Sequence, residues 1–426
     1  MIRLGVITAT RAEYGILRPL IDELRKYEER SAAETESHDK PGRKSDRVTD
    51  MDTQGIRVDL IVTGTHLSSD FGMTVDEIES DGVRIDYRIP IPVRSDTPSD
   101  ISGNQAVALT EFTGHFSDNH YDAVYILGDR YEMLMVAIAA MNTHTPIIHL
   151  CGGDTTEGAI DEAIRHSITK MSCLHFPTNE DSRRRIIQLG EAPDRVYNVG
   201  DTAIDNILNM DYMSKEEVLK DIGADKWSVS ADTTGSADIA YALCTYHPVT
   251  LEDGDIDGMM EDFLGAVADR PDIEFIVTKS NADMGGSRIN EILDEEEGRI
   301  KNLHVYPSLG VRRYLSLMKN ALFVLGNSSS GLYEAPALHI PTVNIGDRQK
   351  GRLRCESVID CSPDKTSILT AMDRACGKEF AHICKDVTSP YGDGHAAEKI
   401  ARISIDVVKK GISLKKRFYN LDRSRQ

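Results

Sequence analysis

Two acidic clusters, one with an arginine beside it, stand where predicted strands end, and side chains at such positions can bind or transform a ligand. Asp129 and Arg130 follow the apolar run 123–127 and one glycine, and Asp154 follows the apolar run 146–150, a cysteine and two glycines. Each run is followed by a helical pattern, which predicts a strand–helix–strand–helix unit of a parallel sheet. Ligands bind outside the carboxyl ends of the strands in such sheets, so both clusters are expected at a ligand-binding edge.

The helix expected over about 157–171 carries two oppositely charged pairs, each with a spacing of four residues. Asp161 and Arg165 lie at one edge of its apolar stripe, and Glu162 and His166 lie at the other. The stripe, at about 100° per residue, consists of Ile160, Ile164, Ile168 and Met171. Two interpretations stay open. The pairs are either ordinary surface ion pairs worth about 0.2–0.5 kcal/mol each, or functional groups beside a helix N-terminus that attracts anions.

The start of the chain offers an arginine to an anionic group. A buried strand over 2–8 leads through a loop to a helix over about 16–28, and Arg11 lies in that loop. The arginine either faces a phosphate or is solvated, and its position alone does not decide between the two. The loop lacks the GxGxxG fingerprint, so a bound NAD is not expected.

The second half of the chain repeats the alternation of strands and helices. Five predicted strands each end in small, polar or basic residues. They span 239–244, 273–277, 303–306, 322–325 and 342–345. The serine-rich turn 327–331 precedes a helix with Glu334 in its first turn, and its amides and hydroxyls suit a diphosphate. With a boundary within 201–237, the chain is expected to be an α/β protein of two Rossmann-like, doubly wound domains whose strand ends face a cleft.

Other segments are not expected to carry chemistry. Residues 29–55 are highly charged and nearly devoid of apolar side chains, which predicts an inserted surface loop with His38 as a bystander. His66 is interpreted as a solvated loop histidine in preference to a substrate contact. Other predicted elements include strands over 58–63, 83–91, 174–177 and 196–199, a helix over about 106–118 and a final helix over about 394–415, which could return to the first domain.

Composition excludes several classes of protein. The chain has 426 residues, 40% of them hydrophobic, which suits two or three domains with substantial cores. A net charge of −20 argues against nucleic acid or an anionic membrane as a partner. Seven cysteines without a CxxC pair or metal-type spacing predict reduced thiols in a cytoplasmic protein. The N-terminus is predicted as a strand and not as a targeting peptide, and no apolar window is long enough to span a membrane.

Seven motifs give a more specific signal. They are ITATRAEYGILRPL (7–20), GTHLSSDFGMTVDEIE (64–79), LGDRYE (127–132), HLCGGDTTEGAIDEAIRHSITKMS (149–172), IIQLGEAPDRVYNVG (186–200), LGNSSSGLYEAP (325–336) and NIGDRQKGR (344–352). In this order they closely resemble the hydrolysing UDP-N-acetylglucosamine 2-epimerases of bacterial sialic acid biosynthesis. The resemblance covers nearly the whole chain except 29–55 and about 225–237. That family has the two-domain GT-B fold, in agreement with the two domains predicted from the pattern.

The resemblance implies a reaction in two stages. UDP-N-acetylglucosamine loses UDP by elimination across C1–C2, and water then adds at C1 while C2 is reprotonated on the other face. The products are N-acetylmannosamine and UDP. This chemistry needs a base for the C2 proton, charge stabilisation for the departing diphosphate and an acid–base pair for the hydration. It needs no redox cofactor, and no metal or other cofactor is expected.

The resemblance also implies roles for individual residues. The predicted catalytic residues are Asp129, Asp161, Asp154 and His247. The predicted UDP contacts are Arg11, Arg130, His247, Asn281, Ser328, Ser329, Glu334 and Arg348. Serines and arginines suit the diphosphate, and the Glu334 carboxylate can accept both ribose hydroxyls. Without the resemblance, Glu334 would be explained as a first-turn glutamate favoured by the helix dipole.

Cys151 departs from the family pattern. Animal members and some bacterial ones have a glutamate at this place, whereas some bacterial members that this chain resembles more closely lack it. Asp154 or Glu157 could supply the missing carboxylate, or none is required. Cys151 as a nucleophile is disfavoured, because elimination needs none.

Four other functions stay open. A close relative acts on a UDP-2,4-diacetamido-trideoxy sugar, UDP-N,N'-diacetylbacillosamine, on the route to legionaminic acid, and it would share these motifs. A non-hydrolysing epimerase would release no UDP, and the motifs around Arg11 and Asp154 favour the hydrolysing group. A GT-B glycosyltransferase would need an acceptor sugar. A non-catalytic nucleotide-sugar sensor would bind UDP without turnover.

The leading interpretation assigns each part of the chain a task. Residues 1–205 form the domain with the catalytic carboxylates, 206–385 form the UDP-binding domain, and 386–426 carry a helix that packs back towards the first domain. The expected partners are UDP-N-acetylglucosamine and UDP, with neither nucleic acid nor membrane. A homodimer is expected, because members of the family are usually dimers or tetramers.

Overall fold

The chain folds into two compact α/β units. A computed structural model describes residues 1–38, 54–93, 97–156, 160–224, 227, 239–248, 256–280 and 286–421. One unit comprises Met1–Asn206 with Gly394–Gln426, and the other comprises Ile207–Asp393. Within the described residues, no helix is both long and apolar enough to cross a membrane.

The first unit is a parallel six-stranded sheet with the strand order β3-β2-β1-β4-β5-β6. Its strands are β1 (Ile2–Thr8), β2 (Ile56–Thr63), β3 (Tyr87–Ile89), β4 (Ala123–Leu127), β5 (Ile147–Leu150) and β6 (Leu174–Phe176). Its helices, numbered along the chain, are α1 (Arg11–His38), α2 (Val75–Ser80), α3 (Pro98–Asp118), α4 (Tyr131–Asn142), α5 (Ile160–Met171), α6 (Glu180–Gln188) and α15 (Ala396–Lys409). Helices cover both faces, so β4 is buried along its whole length.

The second unit repeats this design with the strand order β12-β11-β10-β7-β8-β9. Its strands are β7 (Tyr241–Thr245), β8 (Glu274–Thr278), β9 (Leu303–Tyr306), β10 (Val324–Gly326), β11 (Thr342–Ile345) and β12 (Val358–Cys361). Its helices are α8 (Lys215–Asp221), α9 (Ile256–Ala268), α10 (Gly286–Glu296), α11 (Gly310–Asn320), α12 (Ser330–Ala337), α13 (Lys365–Ala375) and α14 (Lys378–Asp386), and α7 (Thr202–Leu208) precedes them. Both sheets are all-parallel and reverse their strand order in the middle, which confirms the Rossmann-like, doubly wound prediction. The cleft stays a prediction.

Several predicted elements differ from the structure in their bounds. Helix α1 continues to His38, so the prediction of a loop starting at residue 29 is wrong for 29–38. The charged segment is rich in alanine and glutamate, which are strong helix formers, and the Ser31 hydroxyl accepts a bond from the Ile56 amide at 3.0 Å. The rest of the predicted loop, 39–53, lies outside the described residues. The predicted strand over 83–91 shortens to β3, and that over 196–199 reduces to a single bridge between Val196 and His175.

Gly326 ends β10 where only a glycine fits. Its φ is +133°, and a Cβ there would lie 2.1 Å from the Thr245 carbonyl oxygen. We expect Gly326→Ala to lower the free energy of unfolding by about 3 kcal/mol, through backbone strain and overpacking together. Gly298→Ala is the matched control, because Gly298 also has a positive φ, +87°, but open space around its Cβ. Urea unfolding that gave equal losses for both variants would contradict the close-approach argument.

Candidate active site

A buried histidine fixes the turn that presents Asp129. The His149 Nε2 lies 2.8 Å from the Gly128 carbonyl, which can only accept, so this nitrogen is the donor. The other ring nitrogen, Nδ1, therefore accepts from the Thr169 hydroxyl at 3.2 Å. Burial lowers the pKa of His149 to about 3, so the ring is neutral. Gly128, with φ +69°, then directs Asp129 past the end of β4.

Arg165 joins the two acidic clusters of the first unit. Its guanidinium, only 7% exposed, donates to the Asp129 carboxylate, to the Asp154 carbonyl at 2.8 Å and to the Thr156 hydroxyl at 2.8 Å. The surface-pair interpretation of Asp161 and Arg165 is therefore wrong. Asp161 is exposed in the first turn of α5. Sequence reasoning did not count Arg165 as a site residue, although its spacing from Asp161 was visible.

At the other edge of α5, the structure contains the ion pair that was predicted from the sequence. His166 and Glu162 form the predicted pair, with Nε2 and Oε1 3.8 Å apart. Glu162 also accepts from the Thr156 amide at 2.8 Å, which ties the preceding loop to the helix. Ile160, predicted in the apolar stripe, is 77% exposed and so does not belong to the buried face of the helix.

Asp154 is anchored to the start of α6. Its Oδ1 accepts from the Ser182 hydroxyl and from the Asn179 amide at 3.4 Å. Asn179 is the N-cap of α6 and accepts from the Ser182 amide at 2.9 Å. A carboxylate is stabilised at a helix N-terminus. Asp154 thus has a structural task, and its catalytic role stays a prediction. Glu157 lies outside the described residues.

Cys151 stands among carboxylates at the end of β5. Its φ of +58° is unusual for a residue with a side chain. Burial, together with the charges of Asp201, Asp154 and Asp129, raises the pKa of the Cys151 thiol well above its usual value. A protonated thiol is a poor nucleophile, so this environment does not favour a nucleophilic role. Asp201, nearly buried before α7, was missed from the sequence, where it stands alone after a glycine.

Arg130 lies between two buried glutamates that sequence reasoning also missed. Its Nε donates to Glu132 at 2.5 Å, and Glu132 is 2% exposed. Glu13 accepts from the amides of Ala9 and Thr10 at 2.8 and 3.1 Å, which fixes the loop after β1. Burial, with the charge of Glu132 in addition, raises the pKa of Glu13 to about 7, against the opposing Arg130 charge.

Two other side chains of the first unit that were considered as ligand contacts, Arg11 and His66, differ in exposure and in their partners. Arg11 begins α1, so its predicted place in a loop before the helix is wrong. Its side chain is exposed, with the guanidinium 3.1 Å from the Glu77 carboxylate. His66 is completely buried, so the solvated-loop interpretation is wrong. Its two ring nitrogens contact the hydroxyls of Thr8 at 3.0 Å and Thr74 at 2.8 Å. Burial lowers the pKa of His66 to about 4. Its contact with Thr8 ties the turn that follows β2 to the end of β1.

The second unit gathers its predicted UDP contacts at the ends of β7, β10 and β11. His247 is buried after β7, and its Nδ1 lies 3.1 Å from the Ser280 hydroxyl. Ser328 and Ser329 form the turn into α12, and Arg348 donates to the Asn327 carbonyl at 3.1 Å. Asn281 lies outside the described residues. Within those residues, no group of three or more histidines, cysteines or carboxylates is placed to hold a metal ion.

Glu334 is a partly buried carboxyl group in α12. The helix begins at Ser330, so Glu334 lies in its second turn, and the first-turn prediction is wrong. The helix-dipole explanation therefore loses its basis, since the effect is confined to the first turn. Burial raises the pKa of Glu334 to about 7. A partly buried carboxyl group of this kind is suited to accept hydrogen bonds from a ligand.

Known proteins resemble this chain over almost its whole length. A family model described as UDP-N-acetylglucosamine 2-epimerase matches residues 50–404. The chain is 36% identical to the GDP/UDP-N,N'-diacetylbacillosamine 2-epimerase (hydrolyzing) of Campylobacter jejuni, over 98% of this chain and 99% of that protein. It is 34% identical to the polysialic acid biosynthesis protein P7 of Escherichia coli, over 97% and 96%. The structure of the UDP-GlcNAc 2-epimerase from Neisseria meningitidis bound to UDP-GlcNAc shares the fold, with a TM-score of 0.70 and 17% identity over 95% and 100%.

Proposed function

This chain belongs to the UDP-N-acetylglucosamine 2-epimerase family and is a hydrolysing UDP-sugar 2-epimerase, and from that premise we propose that its substrate is UDP-N-acetylglucosamine. It converts this substrate and water to N-acetylmannosamine and UDP, for sialic acid biosynthesis. The family model is described by this sugar nucleotide. The P7 relative is named for polysialic acid biosynthesis.

The observation that carries the mechanism is the cluster of Asp129, Arg165 and Asp154 at the ends of β4 and β5. Elimination needs a group that removes the C2 proton, and hydration needs one that returns a proton to the other face. We assign these proton transfers to Asp129 and Asp161, with Arg165 holding Asp129 in place. The hydrogen bond from His149 to the Gly128 carbonyl keeps the turn before Asp129 fixed.

The second unit supplies the contacts that the departing UDP needs. Ser328 and Ser329 precede α12, and a helix N-terminus stabilises phosphate groups. Arg348 adds a positive charge beside this turn. Charge that builds up on the diphosphate as the C1–O bond breaks is then met by donors already in place. Loss of UDP and a proton, followed by addition of water, leaves the overall oxidation state of the sugar unchanged, so no electron acceptor takes part.

A second substrate is favoured by one specific observation. The Campylobacter jejuni relative, at 36% identity, is named for N,N'-diacetylbacillosamine nucleotides. Such a sugar differs at C4 and C6, away from the C1–C2 bond that reacts, so the same carboxylates would serve it. The steady-state kcat/KM for each of the two UDP-sugars, measured by UDP release, decides between them. A higher value for the diacetamido sugar would overturn the first assignment and leave the hydrolysing 2-epimerase intact.

We also propose that the enzyme works in the cytoplasm as a homodimer. The seven scattered cysteines support a reducing compartment, because the structure pairs none of them in a disulfide. Light scattering of the purified protein tests the assembly directly. A mass of one chain at working concentration would refute the dimer.

Glu334→Gln is expected to weaken UDP binding about tenfold at pH 8, because the carboxylate accepts two ribose hydroxyls more strongly than a neutral amide. The pKa of Glu334 is about 7, so at pH 6 the wild-type group is mostly neutral and the two proteins should bind alike. The ratio of their affinities by calorimetry should therefore rise with pH, and the titration of UDP itself cancels in it. Glu379→Gln, an exposed first-turn glutamate of α14, is the control. A pH-independent ratio would refute the carboxylate's role.

A further inference from the structure

Asn327 holds the backbone of His247 with both ends of its side-chain amide. Its Oδ1 accepts from the His247 amide at 2.7 Å, and its Nδ2 donates to the His247 carbonyl at 2.7 Å. The two residues are 80 positions apart, and Asn327 is 1% exposed. Its own amide donates to the Thr245 carbonyl at 3.2 Å. The end of β10 is therefore locked to the end of β7 at the residue that carries the imidazole.

The carbonyl of Asn327 is fixed from a third strand end. Gln349 donates its Nε2 to this oxygen at 2.8 Å, and Arg348 donates to it at 3.1 Å. Gln349 is 3% exposed, so its contact is shielded from water. The ends of β7, β10 and β11 thus meet at one asparagine, which lies directly before the turn assigned to the diphosphate.

Only an asparagine-like amide can make this clamp. A backbone N–H and the C=O of the same residue need one acceptor and one donor at a fixed spacing, and the side-chain amide offers both. The imidazole is held separately, with Nδ1 3.1 Å from the Ser280 hydroxyl. Ser280 is fixed in turn, because its amide donates to Asn290 at 2.8 Å. Asn327 therefore fixes the position of the His247 backbone, and Ser280 helps to fix the orientation of its ring.

We infer that Asn327 is a positioning residue for His247 in the UDP-sugar reaction. This inference rests on the proposed function, in which His247 acts on the bound nucleotide sugar. Without the clamp, the buried N–H and C=O of His247 lose their partners and the histidine shifts. A displacement of about 1 Å from productive geometry costs about 10²-fold in rate. Asn327 acts through His247, so its effect should vanish when the imidazole is already gone.

A double-mutant cycle tests the inference. Asn327→Ala, His247→Gln and the double variant are compared with the wild-type protein in kcat/KM for UDP-N-acetylglucosamine. We expect Asn327→Ala to cost about 10²-fold, and the double variant to lie within about threefold of His247→Gln alone, because residues that act as one unit are not additive. Effects that multiply would overturn the inference. A fully active His247→Gln would overturn it together with the role proposed for the histidine.

Two more variants separate positioning from folding. Asn302→Ala is the matched control, because Asn302 is also buried in the second unit and donates to three backbone carbonyls, of Val267, Arg270 and Ile273. Asn302→Ala should lower the unfolding temperature, but its effect on kcat/KM should multiply with that of His247→Gln. Gln349→Met removes one support of the Asn327 carbonyl without touching His247. The effects of Gln349→Met and His247→Gln on kcat/KM should also fail to multiply, by a smaller factor. If Asn327→Ala does not fold, this variant tests whether the clamp positions His247.

A failure of the proposed function is distinguishable from a failure of the inference. If the wild-type protein releases UDP from neither sugar nucleotide, the proposed function is wrong. The same cycle is then run on UDP affinity by calorimetry. A double variant that falls short of the multiplied single effects by at least about fivefold supports the clamp. Multiplied effects on affinity overturn it.

Discussion

Asp129→Asn is expected to lower kcat/KM for UDP-sugar hydrolysis by about 10³-fold, within the range that a positioned acid–base group contributes. The substitution keeps the size of the side chain and its acceptor oxygen towards Arg165, but the amide cannot take up a proton. Asp129 lies at the end of β4, and its side chain is 25% exposed, so it is open to a substrate while it remains paired with Arg165.

UDP binding separates the loss of chemistry from the loss of the fold. The affinity of Asp129→Asn for UDP should stay within about threefold of the wild-type value, because Asp129 is not among the predicted UDP contacts. Asp181→Asn is the control, since Asp181 is a half-exposed carboxylate of α6 whose contact is Arg184 at 3.5 Å. A value of kcat/KM within threefold of wild type for Asp129→Asn would remove this residue from the mechanism.

Arg165→Met is expected to combine a large loss of stability with a loss of activity. The guanidinium is 7% exposed and makes three hydrogen bonds, to Asp129, Asp154 and Thr156. Its loss leaves the Asp154 carbonyl and the Thr156 hydroxyl without this donor and the partly exposed Asp129 carboxylate without its partner. We expect a total cost of about 3 kcal/mol, because each acceptor left unsatisfied away from water costs about 1–3 kcal/mol. Asp129 also loses its support, and kcat/KM should fall about 10²-fold. Arg165→Lys should recover only part of both, since a lysine cannot reproduce the planar fork of donors.

Urea unfolding and steady-state kinetics measure the two losses side by side. Arg184→Met on α6 is the control, because its side chain is 70% exposed and its ion pairs lie at the surface, where such pairs contribute about 0–1 kcal/mol. If Arg165→Met unfolds at the same urea concentration as Arg184→Met, the contacts of Arg165 do not stabilise the first unit. If it also retains full activity, Arg165 has no part in the site.

The parallel, doubly wound sheets and the polar residues at their strand ends were predictable because the local signals agree. The strand predicted over 2–8 is β1 with the same bounds, since its Ile, Leu and Val residues form a short buried run before a polar loop. The positions of Asp129 and Asp154 follow from the same logic. Helix α1 was underestimated, because the low apolar content of 29–38 outweighed its helix propensity in the prediction.

The partners of buried polar groups were not predictable from spacing. The pattern of α5 put Arg165 at the edge of an apolar stripe, but only packing on the sheet decides that its guanidinium turns to Asp129 and not to Asp161. His149 lies inside an apolar run, and nothing in that run indicates that its hydrogen-bond partner is the Gly128 carbonyl, 21 positions away. The clamp of Asn327 on His247 spans 80 positions and requires two strands to be neighbours first.

The central claim is hydrolysis with inversion at C2, and incubation of the enzyme with UDP-N-acetylglucosamine in D2O, followed by NMR, tests it most directly. We expect equimolar UDP and N-acetylmannosamine, with deuterium at C2 because the proton removed by a carboxylate is replaced from solvent. The reaction should proceed without an added acceptor sugar. UDP-N-acetylmannosamine as the product, or free N-acetylmannosamine that retains hydrogen at C2, would contradict the elimination and hydration assigned to Asp129 and Asp161.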